Sequence, residues 1–265
     1  MRICTISSGS SGNCIYVGSD STHLLIDAGI SGKRIEQGLN EIGLTGKDID
    51  AVLVTHEHVD HIHGLGVIAR RLGLPIYTAQ KTYDKIEADG KAGKIPDGLF
   101  NSITADEIFS IGDINIQSFS TSHDAADPLG FRFENGDHSF AIATDLGCYN
   151  DYTIDKLKNL DAVLVESNHD VRMLESGVYP YFLKRRILGD RGHLSNEDAG
   201  RLLECILHDD LKSIILGHLS KENNYPALAL ETVKSEIDMG ATPYKAGDFR
   251  IEIAKRDAPG TLMEW

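Results

Sequence analysis

No stretch of this 265-residue chain stays apolar for the roughly 20 residues that a membrane-spanning helix needs, so no membrane partner is expected. Cysteine is scarce. The four present (Cys4, Cys14, Cys148 and Cys205) lack paired or CxxC spacing, which points to reduced thiols rather than a disulfide framework. Cys148, three residues past Asp145, is expected to be a buried thiol rather than a metal ligand. Positive charge is in deficit: 26 Lys and Arg stand against 40 Asp and Glu, for a net charge of −14. That balance argues against holding nucleic acid through a general electrostatic field. It leaves room for a nuclease whose positive charge is supplied locally by metal ions. The start, Met1-Arg2-Ile3-Cys4-Thr5-Ile6, runs straight into strand-like sequence without the regions of a signal peptide, so a cytoplasmic location is expected. Linkers, repeats and low-complexity segments are also missing, which predicts a single domain over residues 1–265.

What the chain does have is a histidine-rich stretch after an apolar run. Ala51 to Thr55 are β-formers, and Leu65 to Leu72 carry a helical apolar period; between them lie His56, Glu57, His58, Val59, Asp60, His61, Ile62 and His63. On extended backbone His56 and His58 project to the same side. Asp60 and His61 follow where the chain turns into a helix, bringing a carboxylate and a third imidazole back toward that side. Nitrogen and hard-oxygen donors at this density suit zinc, and they exceed what one open tetrahedral ion needs from one loop, which suggests two metals. His63 continues the spacing but is expected at the surface or behind the ligands.

The rest of the chain alternates. Ile3 to Val17 reads as two strands around Ser7-Ser8-Gly9-Ser10-Ser11-Gly12-Asn13, whose N–H groups and hydroxyls can cradle an anion, although a flexible hairpin turn explains it more simply. His23 to Ile26 is a strand ending at Asp27. An acid there either supports a ligating histidine or serves ordinary Asp-Ala-Gly turn chemistry. Ser31 caps a helix over 33–42, and a strand over 75–78 precedes a helix over 81–88. Further strands are expected at 107–109, 114–120, 130–134 and 139–143, with an Asn135-Gly136 turn, then at 162–165, 213–216 and 249–254. Helices are expected at 150–160, 196–207 and 226–237. Strand–helix alternation of this kind predicts a layered α/β fold. His123, Asp145 and His218 each follow a strand, as Asp27 and the histidine loop do. Lys184, Arg185, Arg186 and Arg191, beside Tyr179 and Tyr181, form either a substrate-contact strip or a solvated helix face. Glu166, His169 and Asp170 carry acid and imidazole chemistry that spacing alone does not place.

The order Asp27, His56-x-His58-x-Asp60-His61, His123, Asp145, His218 resembles the metallo-β-lactamase superfamily of binuclear hydrolases. That resemblance implies a four-layer αββα sandwich. It also implies two divalent metal ions, zinc or alternatively manganese. One would lie on His56, His58 and His123 and the other on Asp60, His61 and His218, with Asp145 bridging and Asp27 supporting. A histidine at position 58 favours hydrolysis over flavin-linked chemistry. His193-Leu194-Ser195-Asn196-Glu197-Asp198-Ala199 and Gly217-His218-Leu219-Ser220 look like the phosphodiesterase branch, and nearly the whole chain is similar to the YycJ/WalJ-type hydrolases. The similarity implies a 5′-to-3′ exonuclease acting on double-stranded DNA. Asp60 would orient the attacking water, and His193 would stabilise the transition state or protonate the leaving oxygen. The spacing from Asp145 to His218 leaves no room for the inserted β-CASP domain of some relatives. A thioester or lactone hydrolase on the same metal frame is the competing expectation, and a non-catalytic regulatory protein a third.

Overall fold

In the computed structural model, which describes residues 1–265, the apolar runs become strands and the chain gathers into two units. One comprises Met1–Ser120, Ala125–His138 and Lys255–Trp265; the other comprises Thr121–Asp124 and Ser139–Ala254.

The first unit begins with three antiparallel strands, β1 (Arg2–Ser7), β2 (Cys14–Gly18) and β3 (His23–Ile26). After helix α1 (Gly32–Glu41), strand β4 (Ala51–Leu53) lies parallel to β3, with Ile26 opposite Leu53. A single turn of helix, α2 (Val59–Ile62), and helix α3 (Leu65–Leu72) lead to β5 (Ile76–Ala79), α4 (Gln80–Asp89) and β6 (Phe100–Ile103), again with parallel strands. Residues Met263–Glu264 pair with β1 and complete a seven-stranded sheet. Strands β7 (Ile108–Ile111), β8 (Ile114–Ser120) and β9 (Leu129–Asn135) follow as an antiparallel meander.

The helices form where the sequence supplies both an apolar stripe and an end signal. Ser31 accepts from the Arg34 amide at the start of α1, and Gly73 ends α3 at φ 66, a value glycine takes without steric cost. Ile35 and Leu39 of α1 and Leu65 and Ile68 of α3 pack with Tyr16, Leu25, Val52 and Ile76 in one buried cluster. Each such side chain contributes about 1.5–3 kcal/mol by leaving water.

The second unit is built on four parallel strands, β10 (His138–Ala143), β11 (Ala162–Glu166), β12 (Ser213–Gly217) and β13 (Arg250–Ile253). Helix α5 (Asp151–Leu157) joins β10 to β11; α6 (Val171–Ser176), α7 (Tyr181–Ile187) and α8 (Asn196–Glu204) lie between β11 and β12, and α9 (Pro226–Met239) precedes β13. Strands β11 and β12 are buried at every position, so they read as continuous apolar runs rather than alternating ones. Side-chain caps at Asn150, Asp170 and Ser195 start α5, α6 and α8.

Several expectations need correction. Cys148 is exposed, because the chain leaves the sheet after Asp145 and runs outward to the cap of α5. The helix expected over 150–160 stops at Leu157, β6 and α6 were not anticipated as elements, and α7 forms where a solvated helix face was one of two readings. Each of the three is short, and β6 and α7 are largely solvent-facing, so neither helical nor alternating periodicity has length to develop.

Parallel packing of β3 and β4 brings the loops after them into close contact. The Gly29 amide donates to the Asn13 carbonyl and the Asn13 amide to the Asp60 carbonyl, each at 2.7 Å. A Cβ on Gly29 would lie 1.6 Å from the Asp60 oxygen. Gly29→Ala is therefore expected to destabilise the protein by about 1–3 kcal/mol or more. Thermal unfolding beside Gly247→Ala, where a Cβ meets nothing within 4 Å, checks this.

Candidate functional site

Every functional side chain read from the first unit stands at the carboxyl end of β3 or β4, the edge where parallel strands deliver ligands. Asp27 follows β3 at φ 61, a left-handed value uncommon outside glycine. That turn aims its carboxylate at the loop after β4. Its Oδ1 accepts the Thr55 amide at 2.8 Å, and its Oδ2 accepts from His61 Nδ1 at 2.6 Å, both fully buried. The Thr55 hydroxyl lies 2.9 Å from the same Oδ2 and 3.0 Å from His56 Nδ1. The imidazole of His61 is thereby fixed with Nε2 pointing away from Asp27. The rings of His56 and His58 lie 4.6 Å apart and those of His56 and His61 4.2 Å apart; Asp60 Oδ2 is 3.6 Å from His61 Nε2. Asn13, which the sequence did not single out, places its side-chain nitrogen 3.0 Å from His61 Nε2. The predicted members Asp27, His56, His58, Asp60 and His61 are thus brought together, while His63 is exposed, as expected.

The second unit shows the same construction. Asp145 leaves β10 at φ 56 and His218 leaves β12 at φ 54. Between them, at the end of β11, sits Glu166, wholly buried. Its Oε1 accepts from His218 Nδ1 at 2.8 Å and from His193 Nδ1 at 2.7 Å; its Oε2 accepts the Leu146 amide at 2.9 Å. One carboxylate therefore sets the orientation of two imidazoles. Burial pushes its pKa up, but the adjacent His193 and His218 outweigh that and hold it down at about 2. His123 Nδ1 donates to the Gly192 carbonyl at 3.0 Å, which leaves Nε2 3.6 Å from Asp145 Oδ1; His218 Nε2 is 3.7 Å from the same oxygen. Donor atoms of Asp145, Glu166, His193 and His218 all lie within 4.8 Å of one another.

The basic residues are engaged near this site. Arg186 forms a two-pronged ion pair with Asp124, next to His123, and Arg191 donates to the His123 carbonyl at 3.0 Å. Lys184 donates to the Glu175 carbonyl at 2.7 Å, and the Arg185 guanidinium lies 6.0 Å from the exposed Tyr181 ring. The segment from α7 to His193 is thus tied to the loop bearing His123.

His61, His123 and His218 share one arrangement. In each, Nδ1 donates to a carboxylate or carbonyl and Nε2 is turned toward a carboxylate or an amide. Such a backing group fixes the tautomer and raises the basicity of a metal-binding nitrogen. Imidazole and carboxylate donors in this state suit divalent metal ions.

A family model described as the beta-lactamase superfamily domain matches residues 22–216. The chain belongs to that superfamily. A superfamily member from Streptococcus pneumoniae serotype 2 (strain D39), the exodeoxyribonuclease WalJ, is 42% identical over 262 residues, covering 98% of this chain and 96% of its own. The exodeoxyribonuclease YycJ of Bacillus anthracis is also 42% identical, over 238 residues, covering 90% of this chain and 89% of its own. Zinc-bound PqqB from Methylobacterium extorquens superposes with a TM-score of 0.73 at 16% identity, covering 99% of this chain and all of its own. The metallo-β-lactamase-fold protein YhfI from Bacillus subtilis gives 0.69 at 18%, covering 98% and 99%. The superfamily fold is the αββα class that the resemblance implied.

Glu166 was named in the sequence but given no role, although an acid closing a buried strand is the same signal that drew attention to Asp27. Glu166→Gln keeps the volume but removes the charge and one strong acceptor, loosening two imidazoles at once. Metal affinity, read by chelator competition, is expected to fall about ten- to a hundredfold. His169 is a separate case: it is buried, neither ring nitrogen has a partner, and burial holds its pKa down at about 4 from 6.5. Between those values the unfolded chain binds the extra proton and the folded one does not. Stability is therefore full above pH 6.5 and is lost as pH falls toward 4, by on the order of 3 kcal/mol. Denaturant unfolding across this range should show that component shrink in His169→Gln.

Proposed function

We propose that this protein is a metal-dependent phosphodiesterase that degrades double-stranded DNA from a 5′ end. The observation that carries the reading is the Glu166–His193 pair. A buried carboxylate holds Nδ1 of a partly exposed imidazole, so Nε2 is the atom turned to substrate. The 42% identity over nearly the whole chain to two exodeoxyribonucleases supports the same assignment.

Two ions are proposed, zinc or manganese. His56, His58 and His123 would hold one and Asp60, His61 and His218 the other, with Asp145 a ligand they would share. The Nδ1 bonds of His61, His123 and His218 support those roles. When bound, such ions acidify water and neutralise charge on phosphoryl oxygens during in-line displacement. Asp60 orients the attacking water. His193, its ring held through Nδ1 by Glu166, donates a proton to the departing sugar oxygen, and Glu166 keeps the ring in place as the proton leaves. Asp27 acts through His61. Lys184, Arg185, Arg186 and Arg191 are assigned to the DNA strand, Arg185 from the exposed face of α7 and Arg186 and Arg191 partly through the His123 loop. Residues 1–265 work as one hydrolase domain without an inserted β-CASP domain, in the cytoplasm. No helix is long and apolar enough to cross a membrane.

Elemental analysis of gently purified protein is expected to give two ions per chain, and one or none without rescue by added metal would count against the set. His193→Ala should keep its metal and slow DNA hydrolysis by about a hundred- to ten-thousandfold. The loss should be much smaller for a nitrophenyl phosphodiester, whose leaving group departs unprotonated. A wild-type protein that leaves duplexes with free and blocked 5′ ends intact yet opens a thioester would replace this reading with an acyl hydrolase.

A further inference from the structure

The serine–glycine stretch between β1 and β2 has no task in the chemistry above. It is not a slack turn. The Ser7 hydroxyl bridges the Gly12 and Arg256 carbonyls at 2.9 and 2.6 Å, and the Ser8 amide donates to the Lys255 carbonyl at 3.0 Å. The Gly9 amide donates to Asn13 Oδ1 at 2.9 Å, and the Asn13 amide to the Asp60 carbonyl at 2.7 Å. Gly12, at φ 153, lets the loop press against Ile30, whose Cγ2 would be 2.5 Å from any Cβ there. Pinned at both ends, the loop presents Ser10 and Ser11 to solvent.

Three features meet at this tip. The Ser10 and Ser11 hydroxyls lie 3.5 and 3.3 Å from the Arg256 guanidinium. A cavity of about 370 Å³ opens beside them, lined by Ser10, Ser11, Gly29, Val59, Asp60 and His63. It falls within the size range of small-ligand sites. Finally, the cavity touches Asp60, a proposed metal ligand, so whatever fills it adjoins the reacting centre. Hydroxyl donors beside a forked guanidinium match a tetrahedral oxyanion with several acceptor oxygens. The neighbouring cation Arg34 is paired with Asp257 at 3.4 Å, and Arg256 is the arginine whose guanidinium reaches the serine hydroxyls.

We infer that Ser10, Ser11 and Arg256, with His63 in the lining of the same cavity, form a phosphate subsite for the group adjacent to the scissile phosphate of a nucleic-acid strand. The inference rests on the phosphodiesterase reading. Asp60, which also lines the cavity, repels a free anion unless its charge is directed to metal, so the site favours a phosphate tethered to the strand being cut. Two sources carry that chemistry, a terminal 5′ phosphate and the next internal diester.

Arg256→Gln tests the subsite while keeping the backbone carbonyl that Ser7 grips, and the pair Ser10→Ala with Ser11→Ala provides a second variant. In metal-loaded protein titrated with inorganic phosphate, the amide NMR signals of Ser10 and Ser11 are expected to shift, and to shift far less in Arg256→Gln. For kcat/KM, both variants should lose about ten- to a hundredfold on duplex DNA. They should lose much less on bis(p-nitrophenyl) phosphate, which has a single phosphorus. A loss confined to 5′-phosphorylated duplex identifies the terminal phosphate as occupant; an equal loss on 5′-hydroxyl duplex identifies the internal one. Unmoved Ser10 and Ser11 amides, or variants that cleave both duplexes like wild type, overturn the subsite. Phosphate-sensitive amides in a wild type that cuts no DNA retain the subsite and remove the nuclease reading.

Discussion

Orientation of imidazole by buried acid is the interaction on which the site depends. A histidine ring turns freely about two bonds and offers either nitrogen, so a loop full of histidines defines nothing by itself. Asp27 and Glu166 remove that freedom, each from the end of a buried strand and each anchored by backbone amides. Their burial is costly for a charge unless hydrogen bonds compensate. Here the compensating donors are the same rings that the chemistry needs, so holding the acid and aiming the imidazole are one event.

The sheets explain how such acids come to be placed. Parallel neighbours put successive strand ends at one edge, with Ile26 opposite Leu53 in one unit and Glu166 opposite Gly217 in the other. Residues far apart in the chain then arrive together without long side chains or elaborate loops. The glycine at position 29 belongs to the same design, since it lets backbone lie on backbone where β3 and β4 release their loops.

Much of this was legible beforehand because it rests on local chemistry. The histidine loop announces itself through spacing, and the strands through continuous apolar runs such as Ala162 to Val165. Glu166 was harder: a lone acid after an apolar run has many uses, and only pairing of β11 with β12 brings it to His218. The serine–glycine loop illustrates the opposite difficulty. Its composition resembles a flexible turn, and its rigidity comes from carbonyls at Lys255 and Arg256, far away in sequence. Helix α7 is brief and solvent-facing, so no apolar stripe marks it, and its two-pronged hold on Asp124 is a tertiary fact.

The left-handed backbone at Asp27, Asp145 and His218 has a consequence for how this protein can change. At each position the main chain would be most relaxed with glycine, whereas the metal site proposed above takes a carboxylate or an imidazole. Backbone ease and the proposed chemistry therefore pull on the same three residues in opposite directions. Glycine at these positions would ease the backbone but would leave the Thr55 amide and the Glu166 carboxylate short of a partner, so no one residue meets both demands.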